Sequence, residues 1–285
     1  MLVESPLEPV SLGASEPGPS AADGQPDASP LRILVAEDNP TNQLVARAML
    51  EKFGHHVDIV EDGTAAIAAV CSAPYDLVLM DVMMPRTDGL AATRVIRGLP
   101  RPEAGIYIVA VTGNAFEGDG ERCRAAGMND FLTKPITRGR LAATLDRFRD
   151  RAAPVPGGEA SVEVADADPP FDRDRLERLV ADLGVDTART AIDLFLQETM
   201  ERVASLGNCS RDESERELHS LKSSALTVGL TRVSRIARSM ERTAHACGDE
   251  DYRHMIAELD SALREGAEWL RATATETCRA TAPVA

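Results

Sequence analysis

The chain has 285 residues, enough for two ordinary domains, and its 44% hydrophobic content suffices for sizeable cores built mainly from aliphatic residues. Asp and Glu number 46 against 31 Lys and Arg, and the net charge of −15 speaks against a nucleic-acid or anionic-membrane surface. The five cysteines are scattered without a C-x-x-C pair, which reads as free thiols with no disulfide frame and no zinc site. No run of about 18 apolar residues predicts membrane insertion, and the acidic, Pro-rich start lacks the marks of a secretory signal, so a cytoplasmic protein is expected.

Residues 1–30 are rich in Pro, Gly, Ala, Ser and acid and are expected to form a disordered tail. The pattern changes at Leu31. Short aliphatic runs at 32–36, 57–60, 76–80, 106–111 and 130–132 read as strands. They alternate with helical patterns at 41–53, 63–71, 89–99, 118–126 and 138–148. Such alternation predicts a doubly wound parallel sheet over 31–150. Residues 151–170 contain Pro154-Val155-Pro156-Gly157-Gly158 and read as a flexible linker. From Phe171 only helical patterns follow, at 173–182, 187–206, 211–227, 232–246 and 250–271, with glycines at the joins. Ser210-Arg211-Asp212-Glu213 carries a capping-box signature. An antiparallel bundle over 171–275 and a frayed end at 276–285 are expected.

In a doubly wound sheet, function gathers at the carboxyl ends of the strands. Glu37 and Asp38 follow the first strand, Asp81 ends the third, Thr112 ends the fourth and Lys134 follows the fifth. Three acids, a hydroxyl and a cation are thus delivered to one rim. Clustered carboxylates repel one another, and a hard cation such as Mg²⁺ relieves that repulsion with oxygen ligands.

These residues stand in the runs Val35-Ala36-Glu37-Asp38-Asn39, Leu79-Met80-Asp81-Val82-Met83-Met84-Pro85, Val111-Thr112-Gly113-Asn114 and Ala126-Gly127-Met128-Asn129-Asp130-Phe131-Leu132-Thr133-Lys134-Pro135. Over 31–150 the chain resembles a response-regulator receiver domain, with a flavodoxin-like five-stranded sheet. Asn42-Gln43 and the last run resemble receivers attached to hybrid histidine kinases. The resemblance implies phosphorylation of Asp81, with Mg²⁺ held by Asp38 and Asp81, by Glu37 through water and by the carbonyl of Met83. It implies that Thr112 and Lys134 hold the phosphoryl oxygens, that a cis bond before Pro135 aims Lys134 inward, and that Phe131 is the aromatic switch residue. Gly113 stands where alanine is commoner in that family.

In the third helical stretch of the bundle, Leu218, Leu221 and Ala225 fall on one face, which leaves His219, Lys222 and Ser223 on a neighbouring strip expected to be exposed. An exposed imidazole titrates near pH 6.5 and keeps a nucleophilic nitrogen at neutral pH, and Lys222 would offer positive charge to phosphoryl oxygens. His55, His56, His245 and His254 lack such a neighbourhood. His219, Leu221, Lys222, Ser224 and Gly229 resemble the motif of a histidine-containing phosphotransfer domain, which sits on the second helix of a four-helix bundle. Ser223 replaces that motif's usual glycine, and because serine is the next smallest polar residue, function is expected to be retained, with transfer slowed at most. The second resemblance spans about 171–273.

No kinase-type ATP-binding domain, Gly-rich phosphate loop or DNA-binding module is legible. The combined resemblance implies a phosphorelay intermediate. A sensor histidine kinase would supply Asp81, and His219 would exchange the group with a downstream response-regulator receiver. The alternatives are a docking or sink module switched at Asp81, and the carboxyl-terminal part of a hybrid histidine kinase. Oligomeric state is not legible in the sequence.

Overall fold

The computed structural model describes residues 29–113, 117–150 and 168–280. Most of the expected tail at 1–30, most of the linker at 151–170 and the last five residues lie outside the described residues. The first region runs β1 (Arg32–Ala36), α1 (Pro40–Lys52), β2 (His56–Val60), α2 (Gly63–Ser72), β3 (Leu77–Asp81), α3 (Gly89–Arg97), β4 (Tyr107–Thr112), α4 (Glu117–Ala126), β5 (Asp130–Thr133) and α5 (Arg138–Asp150). The second holds α6 (Arg173–Leu183), α7 (Val185–Ser205), α8 (Arg211–Thr227), α9 (Thr231–Thr243) and α10 (Asp249–Ala280). The last helix passes the end expected at 271 and continues through part of the stretch expected to fray.

The strands pair in parallel in the order β2-β1-β3-β4-β5. Side chains alternate between the faces of a strand, and the sequence uses that period to build two cores. Ile33, Val35, Leu77, Leu79, Val109 and Val111 are buried in one cluster with Val45, Met49 and Leu50 of α1 and Leu141 and Leu145 of α5. Leu34, Ala36, Val78, Met80, Ile108 and Ala110 are buried in the other with residues of α2, α3 and α4. Both faces are therefore covered, as a parallel sheet requires.

Helices α7, α8, α9 and α10 pack in a closed ring, and α6 lies on α7 and α8. Ser210 caps α8 through a complete capping box with Glu213, as its sequence predicts. The helix ends at Gly229, whose φ of +85° is left-handed. A Cβ there would lie 2.6 Å from the carbonyl of Asp172, so only glycine lets the start of the bundle cross this turn. The two regions meet. Helix α1 packs on α6, α7 and α8, and the apolar cluster on its side of the sheet continues into Leu179, Leu183, Phe195 and Leu221 of the bundle.

Candidate functional site: an acidic rim closed by a histidine

One ligand oxygen from each of Glu37, Asp38 and Asp81 lies within 4.8 Å of the others. Lys134 Nζ sits 2.6 Å from both Glu37 Oε2 and Asp81 Oδ2. The start of α1 fixes this arrangement. Asn39 caps the helix by accepting from the Asn42 amide. The Asn42 side chain donates to Glu37 Oε1 at 3.0 Å, and Gln43 donates to the Glu37 carbonyl at 2.7 Å. Across the rim the Lys134 amide donates to the Thr112 carbonyl at 2.7 Å, which ties β5 to β4 where both chemical groups emerge. The Lys134-Pro135 bond is cis, as the resemblance implies. The Met83 amide donates to Asp81 Oδ1 at 3.1 Å, while the Met83 side chain is exposed. Phe131 is half-buried against the second core.

The rim carries more negative charge than Lys134 balances. Burial and the adjacent Glu37 carboxylate push Asp38 up to about 6. Burial pushes Asp81 up to about 7 against the pull of Lys134, with Glu37 and Asp38 adding to the rise. Lys134 is held above the ordinary lysine range, because the attraction of Asp81 and Glu37 outweighs its burial. Three hard oxygen donors short of positive charge fit a divalent cation such as Mg²⁺.

The histidyl site is assembled from two helices. His219 Nδ1 lies 2.6 Å from Glu241 Oε1 on α9, and Lys222 Nζ donates to Glu241 Oε2 at 2.7 Å. Burial opposes ionisation of Glu241, yet the bond from His219 and the charge of Lys222 overcome it and hold this carboxyl below its usual range. A carboxylate on Nδ1 fixes the proton there and leaves the lone pair on Nε2. Nε2 is buried and makes no hydrogen bond.

The two sites face each other. A side-chain carbon placed on Gly113, the residue after Thr112, would lie 3.5 Å from His219 Nε2 and 3.8 Å from Lys222 Cε. Beside this contact Asn39 Nδ2 donates to Ser220 Oγ at 3.0 Å, and Arg202 of α7 donates to the same oxygen at 3.0 Å. Further along α1, Lys52 Nζ donates to the Asp182 carbonyl at 2.8 Å.

This closure corrects the exposure read from the sequence. His219 is 6% exposed, and Lys222 and Ser223 are equally enclosed, because the first region covers the strip that the helix turns away from its own core. Asp81 is 1% exposed, so the rim is covered as well. The Ser223 hydroxyl is buried and makes no hydrogen bond. Sequence reasoning missed Glu241, Arg202 and Asn39. Glu241 lies 22 residues from His219 on another helix, so no helical spacing links them. Arg202 and Asn39 gain meaning only when the two regions meet.

The family model for the response regulator receiver domain matches residues 33–146, and that for the Hpt domain matches residues 190–271. The chain therefore carries a response regulator receiver domain followed by an Hpt domain. It is 37% identical over 142 residues to Histidine kinase 5 of Arabidopsis thaliana, covering 41% of this chain and 15% of that protein. It is 29% identical over 252 residues to the signal transduction histidine-protein kinase BarA of Escherichia coli K12, covering 84% of this chain and 27% of that protein. The chain thus spans only a small part of these relatives. The receiver domain of sensor histidine kinase PA1611 from Pseudomonas aeruginosa, solved with a magnesium ion in its active-site cleft, is 43% identical, with 42% of this chain and 98% of that one covered and a TM-score of 0.40. Among the described residues no helix is long and apolar enough to cross a membrane.

Proposed function

We propose that the chain is a phosphorelay intermediate in which Asp81 and His219 exchange a phosphoryl group within one molecule. The observation that carries this reading is His219 Nε2, buried, without a hydrogen bond, and set against Gly113 at the edge of the Asp81 rim. In the forward step the Nε2 lone pair attacks the phosphorus of an Asp81 acyl phosphate. The N–P bond forms, the O–P bond breaks, and Asp81 leaves as a carboxylate. Glu241 keeps the proton on Nδ1 and stabilises the positive charge that the ring gains. Thr112 and Lys134 hold the phosphoryl oxygens. Lys222, anchored on Glu241, supplies further positive charge beside the nitrogen. The reverse step uses the same groups.

Asp38, Asp81, the Met83 carbonyl and Glu37 would hold Mg²⁺. When bound, the ion neutralises charge on the phosphoryl oxygens and the rim. Most of the remaining catalysis is positioning, which suits a site assembled by docking. A sensor histidine kinase is the proposed source of the group and a downstream receiver the proposed exchange partner of His219. The match to BarA, which runs across both domains, supports a role for this pair of domains in histidine-kinase signalling.

The test loads the purified chain with a small acyl-phosphate donor and Mg²⁺ and maps the label by mass spectrometry under alkaline conditions. Phosphohistidine at His219 that vanishes in Asp81→Asn is the expected result. Label confined to Asp81 would overturn the relay in favour of a docking or sink module.

A further inference from the structure

Besides Lys222, the bundle brings a further cation toward the receiver's acidic rim. Arg202 lies on α7, outside the His219 motif, and its side chain is only 24% exposed. It pairs with Glu217 of α8 at 3.3 Å, a contact made within the bundle. It donates to Ser220 Oγ, the atom that also accepts from Asn39 of the receiver. Asn39 follows Asp38 directly, so the shared bond to Ser220 sets the Arg202 charge toward the acidic pair at the end of β1.

We infer that Arg202 is a specificity-determining residue for the pairing of receiver and bundle. It aligns Ser220 for Asn39 and offers a positive charge to the acidic pair at the end of β1. The residue touches neither His219 nor Asp81 in any hydrogen bond described above, so its part is positioning. A charge that faces a complementary partner across an interface raises encounter rate and fixes register. Asn39 makes the contact register-sensitive, because its side-chain oxygen caps α1 and so fixes the plane from which the amide nitrogen donates. A receiver that lacks a donor after its acidic pair would lose the Ser220 bond. A receiver with a cation there would be repelled.

The inference rests on the exchange between Asp81 and His219, and two readouts separate its failure from that of the exchange. The full chain, as Arg202→Gln, Arg202→Lys and Ser220→Ala, is followed by the rate at which label moves from Asp81 to His219. It is also followed by amide hydrogen exchange in α1 and α8. Arg202→Gln is expected to slow movement about tenfold, to release protection at the start of α1, and to lessen the dependence on salt. Arg202→Lys restores most of the rate, and Ser220→Ala shows the loss of protection without the loss of salt dependence. Rates and protection in Arg202→Gln equal to wild type would overturn the inference. So would equal slowing in the Gln and Lys variants together with a changed His219 tautomer by nitrogen NMR, since that marks a merely structural role. If wild type moves no label, the relay reading falls, and the exchange data still decide whether Arg202 holds the domains together.

Discussion

The receiver rim and the histidyl site solve opposite electrostatic problems. On the rim three carboxylates share one lysine, and the carboxyls are pushed up, Asp38 to about 6 and Asp81 to about 7. At the histidyl site one carboxylate serves a lysine and an imidazole, and Glu241 is held below its usual range. The rim is short of positive charge, whereas the histidine already has its neutralising partner. A phosphoryl group brings negative charge to either site. In the proposed relay the rim would need an added cation to take it, and the histidyl site would need only a free lone pair. The comparison therefore assigns the metal requirement to one side of the exchange.

The sharpest way to break this picture is to remove either nucleophile. Asp81→Asn and His219→Gln are each expected to lower internal transfer by more than about a thousandfold, measured by single-turnover labelling. Mixing the two variants tests the internal route, because recovery at the wild-type rate would place the exchange between molecules. Glu241→Ala is expected to slow transfer about a hundredfold, because it leaves His219 and Lys222 without their shared partner. Glu241→Gln loses less, since its carbonyl still accepts from Nδ1. Nitrogen NMR of the imidazole would report the tautomer in both.

Gly113 tests the contact between the sites. An alanine there meets His219 at an ordinary van der Waals distance and should leave transfer within a few-fold of wild type. Gly113→Leu has no room and is expected to open the interface, lowering transfer roughly tenfold or more, with increased hydrogen exchange in α1.

The charge contrast also predicts a pH response. A carboxyl whose pKa is raised by folding takes up a proton more readily in the folded state. In chelator the chain should therefore gain stability as pH falls from above 7 through about 6, where Asp81 and Asp38 protonate. Saturating Mg²⁺ should reverse the trend, since protons and metal compete for the same oxygens. Melting curves across this pH range, with and without the ion, check the sign. The smallest effect is expected at Ser223. Ser223→Ala removes a buried hydroxyl that makes no hydrogen bond and favours the helix, for a gain of about 1 kcal/mol by chemical denaturation.

Much of this was legible in the residues. The receiver strands announced themselves because each is a short aliphatic run, and the acidic pair, Asp81, Thr112 and Lys134 could be aligned because strand ends share one rim. The start and end of α8 were readable from Ser210, Glu213 and Gly229. What the sequence concealed was relational. Helical spacing places His219 beside Leu218 and Lys222, but it says nothing of Glu241 on α9. Amphipathic analysis called the His219 strip exposed, because it counts the core of one bundle and not the surface that docks on it. The resemblance that flagged Asn42 and Gln43 gave no reason for them, whereas the structure shows both holding Glu37.

The enclosure of His219 sets a limit on traffic through the molecule. In the proposed relay the nitrogen that meets Gly113 is the same one an outside receiver must reach, so the two acceptors take turns. Each hand-off to a separate regulator begins with α1 leaving α6, α7 and α8. Raising the concentration of that regulator therefore speeds delivery only until departure of the chain's own receiver becomes the slow step. In the proposed relay the rate is then set by the opening of this interface, and the onward signal has a ceiling independent of how much regulator is present.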